Sequence, residues 1–128
     1  MWAIGADVHM KTTTFFAFDD EAKPVTDFNR MFKSVRSNRE GFILVRMYLE
    51  NIDYQILMEN SSKTHDVQWT WEELGMNYIV APSNELKKIT QSDSKTDKHD
   101  AKELATYLVA RFAGAKQFHV CYMCSKED

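Results

Sequence analysis

Apolar and polar residues follow two periods along this chain, and the switches between them divide it into elements. Ala3–Val8 is a short apolar run of the kind that forms a buried strand. Thr12–Phe18, rich in β-branched and aromatic residues, reads as a second strand across a tight His-Met-Lys turn. Asp-Asp-Glu-Ala-Lys makes another turn, and Pro24–Phe28 reads as a third strand, completing an antiparallel meander. The period then lengthens. Asn38 is placed to cap a helix running to about Glu50, with Phe42, Val45 and Leu49 on one side. Tyr54–Met58 returns to strand character, parallel to its neighbour because a helix separates it from the meander. Val67, Trp71 and Leu74 mark a helix over His65–Leu74, ended by Gly75. Tyr78–Ala81 is a fifth strand, stopped by Pro82. A polar, basic stretch from Ser83 to Thr96 predicts a short helix and a loop. Asp97–Phe112 is the last helix, with Gly114 closing it and Phe118–Met123 a strand or the start of a connection onward. The order is β-β-β-α-β-α-β-α: an α/β fold, its mixed five-stranded sheet flanked by helices.

The alternation also places chemistry. Ile4, Ala6 and Val8 share one face of the first strand, and Gly5, Asp7 and His9 the other. Asp7 is thus an acid at the end of an otherwise buried strand. Glu59 ends the fourth strand on the face of Leu57. On the last helix, Ala101, Leu104, Ala105, Leu108 and Phe112 form an apolar stripe. The wheel sets Asp97 near the stripe's centre and Asp100 on its flank, both above the core-facing side. Taken singly, Asp97 is a helix cap with Asp100 in the first turn, and Glu59 and Asp7 are turn acids. Together, four carboxylates converge on one rim, where they repel one another unless divalent metal is present. Magnesium takes such hard oxygen ligands, and paired ions serve phosphodiester chemistry.

Composition narrows the options. A length of 128 residues, 44% of them hydrophobic, suits one domain with a real core. No apolar run is long enough to cross a bilayer, and the first residues lack the basic start and cleavage site of a signal peptide. The expectation is a cytoplasmic protein with no membrane partner. A formal charge of −3 argues against nucleic-acid binding by bulk charge, though Lys11, Lys95, Lys98 and Lys102 surround the acids and could meet phosphate. His9 and His65 read as surface or packed histidines. Cys121 and Cys124 make one Cys-x-x-Cys, half a zinc site at best, and read as reduced thiols. Trp69 lies off its helix's apolar stripe and is expected to be exposed.

The stretches GADVHMKT, ILMEN, YIVAPS and KTDKHDAKELA, in this order and spacing over roughly residues 3 to 110, resemble the amino-terminal domain of the DEDD transposases of the insertion-sequence one-ten family, which includes the Piv-type DNA invertases. The resemblance implies a RuvC-like, ribonuclease-H-like fold over 1–112. It implies an acidic tetrad of Asp7, Glu59, Asp97 and Asp100 that binds magnesium, with manganese as substitute, for DNA strand cleavage and exchange. It further implies DNA and a guiding structured RNA as partners and a homo-oligomer in the full-length protein. A carboxy-terminal domain bearing a catalytic serine is also implied, with 113–128 as the start of the connection to it. The family's Thr-Gly pair after the glutamate is replaced here by Ser61 and Ser62. Two other functions compete: a nucleic-acid-binding or dimerisation module without activity of its own, and a kinase-like phosphotransferase. The second needs clustered glycines against nucleotide phosphates, and the four glycines here are scattered.

Overall fold

Strand β1 (Trp2–Val8) is the axis of the sheet, because both its edges and both its faces are covered. The computed structural model describes residues 1–61, 64–83, 86 and 99–114. On one side β1 pairs antiparallel with β2 (Thr12–Phe18), with Gly5 opposite Phe16 and Asp7 opposite Thr14. On the other it pairs parallel with β4 (Tyr54–Glu59), Ile4 beside Ile56 and Ala6 beside Met58. β5 (Tyr78–Ala81) continues the parallel half, and the two-residue β3 (Val35–Arg36) closes the far edge against Thr12 and Thr13. The strand order is β3-β2-β1-β4-β5, a five-stranded mixed sheet.

Helices α1 (Thr26–Met31), α2 (Arg39–Tyr48) and α3 (His65–Leu74) bury their apolar sides in the larger of two cores, with Ile4, Ala6 and Val8 from β1. Trp71 centres this core: its ring lies 6.0 Å from Phe15, 5.5 Å from Phe42 and 5.4 Å from Tyr78, at tilted or edge-on angles favoured by aromatic quadrupoles. Helix α4 (Ala101–Phe112) packs on the opposite face, where Leu104 and Leu108 join Ala3, Leu57, Ile79, Ala81 and Leu86. Gly75 ends α3 in the left-handed region at φ +71°, as its position predicts. Trp69 is exposed, as expected off the stripe. Among the described residues, no helix is long and apolar enough to cross a membrane.

Asn38 caps α2 as the sequence suggests, its side-chain oxygen accepting the Gly41 N–H at 2.9 Å. Asn38→Ala should therefore lower stability by about 1 kcal/mol. Urea denaturation checks this, and an unchanged midpoint would remove the cap from the account.

Three expectations need correction. Pro24–Phe28 is not a strand: Pro24 makes only an isolated bridge to Phe18, and the chain then winds into α1. The helical spacing of Phe28 and Phe32 explains this, since it brings both rings into the core, 5.4 and 5.6 Å from Tyr48. Asn29 takes the place of the missing ladder, its amide accepting from Ala17 N–H and donating to Ala17 C=O. The third strand is Val35–Arg36. The last helix begins at Ala101, with Asp100 as its cap, not at Asp97. Phe112 does not share the buried stripe: it is exposed, lining a depression with Met1 and Asp20, because the final turn of α4 overhangs the start of β1. The expected helix and loop over Ser83–Thr96 fall almost wholly outside the described residues, and the expected strand at Phe118–Met123 and both cysteines wholly so.

Candidate functional site

β1 and β4 are neighbours and run the same way, so their carboxyl ends open at one rim. The register Ala6 beside Met58 carries one step further to Asp7 and Glu59, which alternation turns to the α4 face. Helix α4 can lie close on that face because residue 5 is glycine. A Cβ there would stand 2.0 Å from the Ala101 carbonyl oxygen and 2.6 Å from the Ala105 nitrogen. This contact brings the amino-terminal end of α4 beside the two acids. A cleft of about 170 Å³ results, lined by Asp7, Glu59, Asn60, Ser61, Ser83 and His99 among others.

The two acids meet different surroundings. The Asp7 side chain is 18% exposed, and its Oδ2 lies 3.2 Å from His9 Nε2 in the turn that follows. Glu59 is more enclosed, at 9%. Its Oε1 accepts the backbone N–H of His99 at 3.2 Å and lies 3.2 Å from His99 Nδ1. Its Oε2 is buried and has no hydrogen-bond partner among the described residues, as is Asn60 Oδ1. A carboxylate oxygen removed from water without a partner is costly, so Oε2 is an atom of this cleft that a ligand would satisfy, as is Asn60 Oδ1. The His99 ring is itself held edge-on at 5.7 Å by Tyr107. Burial pushes the Tyr107 hydroxyl pKa up, with the negative charges of Glu103, Asp100 and Glu59 adding to it.

Asp100 occupies a different position from the one the wheel suggests. It is exposed and caps α4: its carboxylate accepts the Glu103 N–H at 2.7 Å, while Glu103 Oε1 accepts the Asp100 N–H at 3.1 Å, a reciprocal capping box. The residue just before Ala101 lies about 100° round the axis from it, which turns Asp100 off the buried stripe. Asp97 lies outside the described residues. Among the described residues, no three acidic, histidine or cysteine side chains come together to hold a metal ion. Asp100→Asn keeps an equally good cap and removes the charge. It should leave thermal stability within about 0.5 kcal/mol, so any loss of metal affinity in that variant would reveal a ligand role separate from capping.

Of the four lysines, Lys11 is exposed in the β1–β2 turn, at the same end of β1 as Asp7. Lys102 is exposed on α4 with its ammonium 6.0 Å from the Phe16 ring centroid, over β2 instead of the cleft. Lys95 and Lys98 lie outside the described residues. His65 is exposed at the start of α3. Ser61 lines the cleft, its carbonyl accepting from the Thr64 hydroxyl at 2.8 Å, and Ser62 lies outside the described residues.

Sequence reasoning passed over His99. The signal was present: it precedes a capping Asp100 followed three residues later by Glu103. The residue before such a cap characteristically turns inward toward the fourth helical position, here Leu104. Both residues line the cleft. No protein-family model matches the chain, and no curated protein shows significant similarity to it.

Proposed function

We propose that this chain is the ribonuclease-H-like catalytic domain of a metal-dependent DNA recombinase of the transposase type. One observation carries the reading: Asp7 and Glu59 stand at the ends of adjacent parallel strands and line one cleft under the helix that begins within the KTDKHDAKELA motif. The strand order β3-β2-β1-β4-β5, antiparallel on one side of β1 and parallel on the other, supports the fold assignment.

The donor set fits a hard divalent cation such as magnesium or manganese, since Asp7 and Glu59 offer carboxylate oxygens and Glu59 Oε2 is buried without a partner among the described residues. Asp7 and Glu59 would hold it from the sheet, with Asp97 as the motif's further ligand and Asp100 joining only if its carboxylate reaches beyond the cap it makes on Glu103. When bound, such a cation supplies charge stabilisation at a phosphodiester under attack. In this reading DNA is the substrate, a structured RNA guides it, and a serine-bearing second domain completes the exchange. Lys11 contributes phosphate affinity from the rim, with Lys95 and Lys98 from the motif's side.

Calorimetric titration with magnesium and manganese, on this chain and on its Asp7→Asn and Asp97→Asn variants, tests the reading. Saturable binding lost in both variants is the expected result. Binding that survives both substitutions, or no binding even with branched DNA present, overturns it.

A further inference from the structure

Glu59 is the more enclosed of the two acids, and its two oxygens are treated unequally. Oε1 faces two nitrogens of one residue, the backbone N–H and the ring Nδ1 of His99, each at 3.2 Å. Oε2 faces none among the described residues. A carboxylate oxygen only accepts, so this pairing sets the ring proton on Nδ1. The ring cannot easily turn away, because Tyr107 lies edge-on against it at 5.7 Å and its own side chain is 9% exposed. His99 is in turn fixed along the chain by the capping box of Asp100 and Glu103, which begins α4 one residue later.

The geometry points to His99 as the positioning residue of Glu59, holding Oε1 so that Oε2 is the oxygen left for a divalent cation in the cleft. The inference rests on the metal-site reading above and adds to it a residue outside the acidic tetrad. Its physical basis is that a ligand carboxylate free to rotate loses affinity through the disorder it must give up. Hydrogen bonds from behind the ligand remove that cost in advance, and deleting such a partner typically weakens metal binding about 10–100-fold. The backbone N–H persists in any variant, so the ring's share can be measured separately.

Manganese titration by calorimetry, paired with thermal melting of the metal-free protein, tests this on the chain itself. His99→Ala should weaken manganese binding by about 10–100-fold. His99→Asn, whose side-chain N–H reaches the place of Nδ1, should recover most of that loss. Glu59→Gln should abolish binding. If Glu59→Gln abolishes binding while His99→Ala binds as tightly as the unaltered chain, the positioning role is wrong and the metal site stands. If His99→Ala and His99→Asn are equally weakened, the effect comes from packing and the role is also wrong. If the unaltered chain binds no manganese, or Glu59→Gln binds normally, the metal-site reading falls and the positioning role with it. Melting identifies an unfolded His99→Ala variant; the comparison then passes to His99→Asn, which must bind within a few-fold of the unaltered chain.

Discussion

Gly5→Ala should destabilise the domain by about 3 kcal/mol or more, lowering Tm by roughly 10 °C. A single methyl is usually a small change, but here it has nowhere to go. Its position is 2.0 Å from the Ala101 carbonyl oxygen, 2.6 Å from the Ala105 nitrogen and 2.9 Å from Leu104 Cβ. Two of these are helix backbone, which cannot rotate aside, so all of α4 must lift from β1. Leu104 and Leu108, both fully buried, would lose part of their packing on Ala3, Leu57 and Ile79. Gly75→Ala provides the contrast. There a methyl meets open space and the cost is only that of a left-handed residue, about 1 kcal/mol. Thermal melting of both variants distinguishes the two mechanisms, and a Gly5→Ala protein melting with the unaltered one would contradict the close packing of α4. The same lift would carry His99 away from Glu59, so cleft and stability should fail together.

On the metal-dependent reading proposed above, Asp7→Asn should cut magnesium-dependent strand cleavage by a factor of about 10³ or more, with Tm changed little. The substitution keeps size and shape and leaves an oxygen facing His9, so the fold has little to lose at a side chain that is 18% exposed. It takes away an anionic oxygen, which a hard cation requires. Loss of metal-derived charge stabilisation is worth several kcal/mol, and about 4 kcal/mol corresponds to a thousandfold in rate. Cleavage assays on a labelled duplex measure it, and activity within tenfold of the unaltered protein would contradict a catalytic role for Asp7.

Where local pattern and tertiary packing agreed, the sequence could be read closely. β1, β2, β4, β5 and α3 stand at or within a residue of their expected bounds, because alternation or helical spacing there coincides with burial. Asp7 and Glu59 were legible for the same reason: alternation assigns the face, and the parallel pairing of β1 with β4 brings the ends together. Val25 and Phe28 misled, since a proline followed by mixed apolar residues resembles an edge strand. What decides for helix is a tertiary fact, the cluster of Phe28, Phe32 and Tyr48. The start of α4 misled through an ambiguity of chemistry: Asp97 and Asp100 are both good caps, and only the reciprocal bonds to Glu103 select the second. His99 was hidden because its partner is forty positions away in the chain.

The amide of Asn29 has a consequence for how this molecule meets its neighbours. A sheet border with free main-chain groups invites another chain to add a strand and begin a stack. Here β3 pairs only with Thr12 and Thr13, and beyond them the Phe32 carbonyl accepts the Phe15 N–H at 3.0 Å while Pro24 bridges Phe18. Asn29 imitates a neighbouring strand at Ala17, giving and receiving one bond each, while Val25 N–H donates to the same carbonyl. One side chain and the irregular backbone around α1 thus terminate the sheet together. Strand addition along this border is thereby disfavoured without a longer β3, since the main-chain groups it would need are already paired.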